Sequence, residues 1–279
     1  MQAWGPTAAG VFGLLIGSFL NVVIWRVPRG ESLLPDSHCP KCDAKIRPWH
    51  NVPVISWIAL RGRCANCGTR ISARYPLVEI ATGAAFALVA GWVFSVVGAT
   101  TPFGAAGALS AIAAWLVLAA YLWLAAISIA LTLIDLEHKR LPDAIVVPSI
   151  AVVTALLGVA AALSGNWSQF VSALAGAAIL FVAYFLIVLV YPRGLGGGDV
   201  KLAPVLGAAL GFVGWDALAV GAFAGFVLGA VYGLALIAMR RGGRKTEIPF
   251  GPFMLAGAWV GVWAGPAVMH AYLSLWALG

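Results

Sequence analysis

Of 279 residues, 62% are hydrophobic and only 10% charged, a balance that excludes a water-soluble globular domain of this length. The apolar stretches run without alternation, which excludes a transmembrane β-barrel. In so apolar a chain the net charge of +7 bears on membrane topology before it bears on nucleic acid; no nucleic-acid partner is expected, and the lipid bilayer is the first partner.

Taken in chain order, the apolar stretches predict helices at 8–25, 77–98, 105–133, 144–163, 170–191, 201–215, 217–239 and 252–276. Most reach the roughly 18 to 20 residues that carry a helix across a hydrocarbon core. The expected fold class is an all-α polytopic membrane protein of about eight transmembrane helices with a small zinc-binding loop domain. The domains are then a first transmembrane helix over 1–25, a loop domain over 26–76, and a helical bundle over 77–279. The first apolar stretch lacks a basic n-region and a small-residue cleavage site, so it reads as a retained helix, not a signal peptide.

Charge fixes the expected orientation. With the N-terminus outside, the inside segments 26–76, 134–143, 192–201 and 240–251 contain all seventeen Lys and Arg residues, Arg193, Arg244 and Lys245 among them. The outside loops contain none, which is the positive-inside pattern of a bacterial inner (cytoplasmic) membrane protein with both termini outside. Most of these cations act as topology anchors.

All four cysteines fall in the long inside segment, as Cys39-Pro-Lys-Cys42 and Cys64-Ala-Asn-Cys67. Two CxxC knuckles suit tetrahedral Zn²⁺, each turn presenting two thiolates to one metal. Disulfides compete for the same residues, but the expected cytoplasmic side is reducing; a reduced, metal-free loop is the other alternative. Four thiolates leave no open position, so the zinc is expected to be structural and His38 and His50 to be ordinary loop residues.

Ten acidic residues are present, and each one near a membrane span requires an explanation. Asp135 ends the third predicted span, and Asp199 follows Gly194-Leu195-Gly196-Gly197-Gly198 and opens the sixth. The charge-derived topology puts both at the inner face. Two carboxylates sharing one proton suffice for peptide hydrolysis, the ionised member activating water and the protonated one polarising the carbonyl. The glycines before Asp199 permit backbone conformations closed to other residues and close approach by a substrate backbone. Each aspartate alone also fits a helix N-cap or a solvated interfacial residue, and for Asp143 after Pro142 that is a better account than catalysis. Glu137 reads as a solvated charge, and Asp216 falls in an outside turn. A proton- or cation-coupled transporter using Asp135 and Asp199 is the alternative, with the glycine run as a broken helix; it leaves the four-cysteine module unexplained.

These residues, together with Gly17-Ser18-Phe19-Leu20-Asn21 in the first helix, Arg74-Tyr75-Pro76-Leu77-Val78-Glu79, Leu141-Pro142-Asp143, Gly196-x-Gly198-Asp199 and Ile248-Pro249-Phe250-Gly251-Pro252-Phe253, resemble the bacterial type IV prepilin peptidases. That group of membrane aspartic proteases also contains N-methyltransferases. Presenilin-like enzymes share the Gly-x-Gly-Asp string, but the cysteine knuckles and the first-helix signature favour the prepilin group. The resemblance implies that Asp135 and Asp199 are the catalytic pair and that Gly196, Gly198, Asp143 and Glu79 support the motifs. It implies prepilin or type II secretion pseudopilin substrates, cut after a glycine that ends a short basic leader. It further implies methylation of the new N-terminus by S-adenosylmethionine, with the cysteine loop and Glu79 as candidates for that activity by analogy. The segment around 99–110 matches no motif of the family.

Overall fold

In the computed structural model, residues 4–34, 37–100, 108–191, 195–241 and 248–277 are described. Arg193, Gly194, Arg244, Lys245 and most of the unmatched 99–110 segment lie outside them. The described residues are almost wholly helical. They form α1 (Trp4–Arg26), α2 (Ile55–Ala59), α3 (Arg74–Thr100), α4 (Ala108–His138), α5 (Asp143–Ser164), α6 (Trp167–Val190), α7 (Gly197–Val213), α8 (Trp215–Ala238) and α9 (Gly251–Ala277). Seven of these, all but α2 and α7, are long and apolar enough to cross a membrane. The chain is an all-α polytopic membrane protein, and the expected sixth helix is present as α7.

At 17 residues α7 spans only about 25 Å at 1.5 Å per residue. Its setting explains its length. Twelve of its residues, from Asp199 to Phe212, are buried, and it packs against α5, α6, α8 and α9. Protein, not lipid, surrounds it, so it needs neither the length nor the all-round apolar surface of an exposed span. Glycines set the closeness: a Cβ on Gly207 would meet the Gly176 carbonyl of α6, and one on Gly211 the Ser172 carbonyl. Small residues let helix backbones approach where the hydrophobic effect gives no drive to associate. The same device joins α8 to α9, where a Cβ on Gly257 would lie 2.7 Å from both the Gly221 carbonyl oxygen and the Gly225 Cα. Tyr121 of α4 donates from its phenol to the Ala209 carbonyl of α7 (2.7 Å), satisfying a fully buried hydroxyl.

Two compact units emerge, Met1–Thr101 with Ala125–Ala130, and Pro102–Leu124 with Leu131–Gly279. In the first, α1 packs along α3. A Cβ on Gly13 would lie 2.8 Å from the Gly83 Cα, and one on Gly17 would lie 2.6 Å from the Glu79 Cα. Asn21, in the same signature, donates to the Tyr75 carbonyl at the start of α3 (3.2 Å). Between these helices the chain forms a small module with a 3-10 turn at Pro48–His50, helix α2, and the isolated antiparallel bridges His38–Lys45 and Arg63–Arg70.

Candidate functional site: a paired-aspartate centre and a four-cysteine module

The second unit brings Asp135 and Asp199 together. Helix α4 continues through Asp135 to His138, one turn beyond the expected end, and stops at Lys139, whose φ of 49° is left-handed. The Lys139 N–H closes the last turn onto the Asp135 carbonyl (2.8 Å), as a residue just past a helix C-terminus commonly does. Asp135 is 4% exposed and Asp199 7%. Each carboxylate accepts from a backbone N–H at the start of a helix. Gly251 of α9 donates to Asp135 Oδ2 (3.1 Å), and Gly196, just before α7, donates to Asp199 Oδ2 (2.9 Å). The Asp135 charge acts directly on Asp199.

Leu141 organises the space between them. A Cβ on Gly198 would lie 2.9 Å from the Leu141 Cβ, and one on Gly251 would lie 3.2 Å from Leu141 Cδ2 and 2.8 Å from Asp135 Oδ2. The start of α7 and the start of α9 therefore close on the same leucine, and a side chain at either glycine would push them apart. Gly196, Gly197 and Gly198 are not among the residues with positive φ, and Gly197 and Gly198 are already helical. Of the two roles the sequence suggested, unusual backbone conformation is not seen at these three glycines, and close approach is seen at Gly198, against Leu141.

Asp143 lies exposed in the first turn of α5 and is not its N-cap. Pro142 occupies the N-cap position of α5 and makes no side-chain cap bond. The Asp143 carboxylate instead pairs with Lys201 of α7 through both oxygens (2.8 and 2.7 Å). Asp199 does cap its own helix, from the N3 position, so its cap and its place in the pair coexist. Asp216 is the second residue of α8, the turn before it being reduced to Gly214.

Beside Asp199 stands an aromatic cluster of Tyr184, Phe226 and Phe250, of which Tyr184 and Phe226 were not singled out by the sequence. Tyr184 of α6 is buried, feels the Asp199 charge, and stacks on Phe226 of α8 (centroids 5.5 Å apart) and near Phe250 (6.3 Å). Phe250 lay within a quoted motif. Tyr184 and Phe226 sit in uniformly apolar spans that offer no local signal.

In the first unit the Sγ atoms of Cys39, Cys42, Cys64 and Cys67 all lie within 4.8 Å of one another, and Cys39 and Cys67 are 3.8 Å apart. Tetrahedral thiolates at the usual 2.3 Å from a zinc ion would stand about 3.8 Å apart, so the donor set fits a metal ion. The backbone N–H groups of Lys41 and then Cys42 hold the Cys39 thiol below its ordinary range, and that of Ala44 does so for Cys42. Cys67, despite the Thr69 N–H, is pushed up to about 11 by desolvation and then by the other three sulfurs. Four thiolates at this spacing repel unless a cation sits among them.

Glu79 of α3 is 8% exposed. Its Oε2 accepts the Val54 N–H (2.7 Å), and Ser18 of α1 also bonds its carboxylate. It ties the module to both helices of its unit.

Membrane-length helices with a buried aspartate pair, one at the end of α4 and one at the start of α7, define a polytopic membrane protein built around a paired-carboxylate centre. The sequence profile of the bacterial peptidase A24 N-terminal domain matches residues 11–94, and that of the type IV leader peptidase family matches residues 118–234. Relatives described as prepilin leader peptidase/N-methyltransferase occur in Stutzerimonas stutzeri (36% identical over 94% of this chain and 92% of its own length), Pseudomonas putida (35%, over 98% and 95%) and Neisseria gonorrhoeae (36%, over 94% and 92%). No solved structure matches the chain significantly. The chain belongs to the type IV leader peptidase family, and that membership favours the peptidase over the transporter.

Proposed function

We propose that this protein is a membrane aspartic endopeptidase that removes the short basic leader from type IV prepilins or type II secretion pseudopilins, with Asp135 and Asp199 as the catalytic pair. The observation that carries the proposal is the convergence of two buried carboxylates, each holding one glycine N–H, with the Asp135 charge acting on Asp199. With one proton between them, the ionised carboxylate takes a proton from water as the water oxygen attacks the scissile carbonyl carbon. The protonated carboxylate gives its proton to the carbonyl oxygen. Collapse of the tetrahedral intermediate breaks the C–N bond: the carboxyl that took the water proton gives it to the leaving amine, and the other carboxylate takes a proton back from the gem-diol as the carbonyl reforms.

Bacterial inner-membrane placement, with both termini outside and the pair at the cytoplasmic face, rests on the distribution of Lys and Arg. A prepilin carries its scissile bond between a basic leader and an apolar helix. That bond lies at the interface, and the helix need not be unwound across the membrane to expose it.

Zn²⁺ held by Cys39, Cys42, Cys64 and Cys67 is the metal we assign to the module, closed to substrate and structural in role. N-methylation of the new N-terminus by S-adenosylmethionine is part of the proposal on the names of the relatives alone. Glu79, its candidate by analogy, has its carboxylate taken up by Val54 and Ser18.

Incubation of detergent-solubilised wild-type protein with a purified prepilin, products read by mass spectrometry, tests the proposal. Loss of the leader is expected, with one added methyl mass when S-adenosylmethionine is supplied. An intact prepilin in the presence of folded protein would overturn the peptidase assignment.

A further inference from the structure

The module places apolar side chains outward and a polar one inward. Trp49, Val52, Ile55 and Ile58 recur at every third residue and are 63%, 42%, 67% and 63% exposed, whereas Ser56 of α2 is buried. Inside, Ser56 Oγ accepts from the Val52 N–H and donates to the Trp49 carbonyl (both 3.0 Å), tying the Pro48–His50 turn to α2. Ile55 and Ile58, one turn apart, share the outer side of α2. An exposed apolar ridge of this kind needs a partner.

Two independent observations identify the partner. The first is position. Val54, in the middle of the ridge, is pinned by its N–H to Glu79 Oε2 (2.7 Å), and Glu79 lies five residues into the membrane-length stretch Arg74–Val96, about 7 Å along the helix. The attachment is costly to the backbone. Val54 has φ 62° and ψ −50°, and Ile55 N–H bonds to the Pro53 carbonyl around it (2.6 Å), a tight three-residue turn that β-branched residues rarely adopt. Such strain, of order 1–3 kcal/mol, persists where surrounding structure over-determines it. The ridge is thus held level with the outward-facing Leu77 (62% exposed) and Ile80 (49%) of α3. The second is charge. Exposed Arg47 precedes the ridge, its guanidinium over the Trp49 ring (5.6 Å), and exposed Arg61 and Arg63 follow it.

We infer that the Trp49–Ile58 ridge lies in the headgroup region of the bilayer and selects anionic phospholipid. Trp and Arg with aliphatic side chains are the composition of an interfacial contact, the ring and aliphatic groups entering the acyl boundary and the guanidinium groups meeting lipid phosphates. The module is then a membrane-seated collar that keeps the metal site at a fixed height beside α1 and α3.

The test is quenching of Trp49 fluorescence, taken as the difference between wild type and Trp49→Phe, for full-length protein in nanodiscs of stated lipid. Phospholipid brominated at shallow acyl carbons is expected to quench this difference signal, and brominated phosphatidylglycerol to do so about twofold more strongly than brominated phosphatidylcholine at equal mole fraction. An indole at a second point on the ridge, Ile55→Trp in the Trp49→Phe background, is expected to behave alike and keeps the test valid if the first variant is poorly folded. Equal quenching by the two lipids would overturn the anionic selection. Quenching by aqueous iodide and not by brominated lipid would overturn the contact itself. Shielding from iodide that arises only when purified prepilin is added would replace lipid with a protein partner.

Discussion

Gly251 carries more of the paired-aspartate centre than its size suggests. Its N–H holds Asp135, and its missing side chain leaves room for the Asp135 carboxylate and for Leu141. Gly251→Ala would place a Cβ 2.8 Å from Asp135 Oδ2 and force the carboxylate aside. A displacement of about 1 Å in a reacting group costs on the order of 10²-fold in rate. Leader cleavage by this variant is expected to fall by about that factor while the protein accumulates normally, both read from purified protein. Gly198→Ala meets Leu141 directly, so its loss should be partly restored by adding Leu141→Ala. A strictly additive double variant would show that the two residues do not share this contact. Lys201 and Asp143, about half exposed, belong to a different class. Asp143→Asn should change stability by less than about 1 kcal/mol, in a salt-dependent way, in a thermal or denaturant melt.

Among the elements, α7 and the cysteine module show how much the sequence made legible and where it fell short. The charge pattern supported α7 beside its short apolar stretch, because merging it with α8 would have put Arg240 and Arg241 on the opposite side from Arg193. Its start at Gly197 and its burial did not follow, since a helix screened from lipid by its neighbours has no distinctive hydrophobic period. Gly207→Leu, which would drive a side chain into the Gly176 carbonyl, is expected to separate α6 from α7 and abolish accumulation in membranes, measured by quantitative blotting. The four cysteines were legible from spacing, because CxxC turns fix local geometry without long-range packing. Invisible were the Glu79–Val54 bond that seats the module and the aromatic contact of Tyr184 with Phe226, for both join residues remote in sequence. Cys39→Ser is expected to lose bound zinc and lower abundance, with zinc assayed on purified protein; normal abundance and fold without zinc would remove the structural metal.

For the whole molecule, composition sufficed for a helical membrane protein, and five separated motifs in order sufficed for the family. What the folded chain adds is the way α4, α7 and α9 meet. The end of one helix and the starts of two others close around Leu141, and the two acidic residues least expected in a membrane protein lie at that junction, each satisfied by a backbone N–H. Asp143 does not join them and forms an ion pair between α5 and α7, and Glu79, in the first unit, is an acceptor for the module. Our proposal assigns hydrolysis to Asp135 and Asp199. The measurement that tests this most directly compares wild type, Asp135→Asn and Asp199→Asn as purified protein acting on one prepilin, with leader release timed by mass spectrometry. The account predicts that each substitution lowers cleavage by at least roughly 10²–10⁴-fold, the span expected for losing acid–base catalysis, with folded protein recovered in full. Cleavage near the wild-type rate in either variant would contradict it.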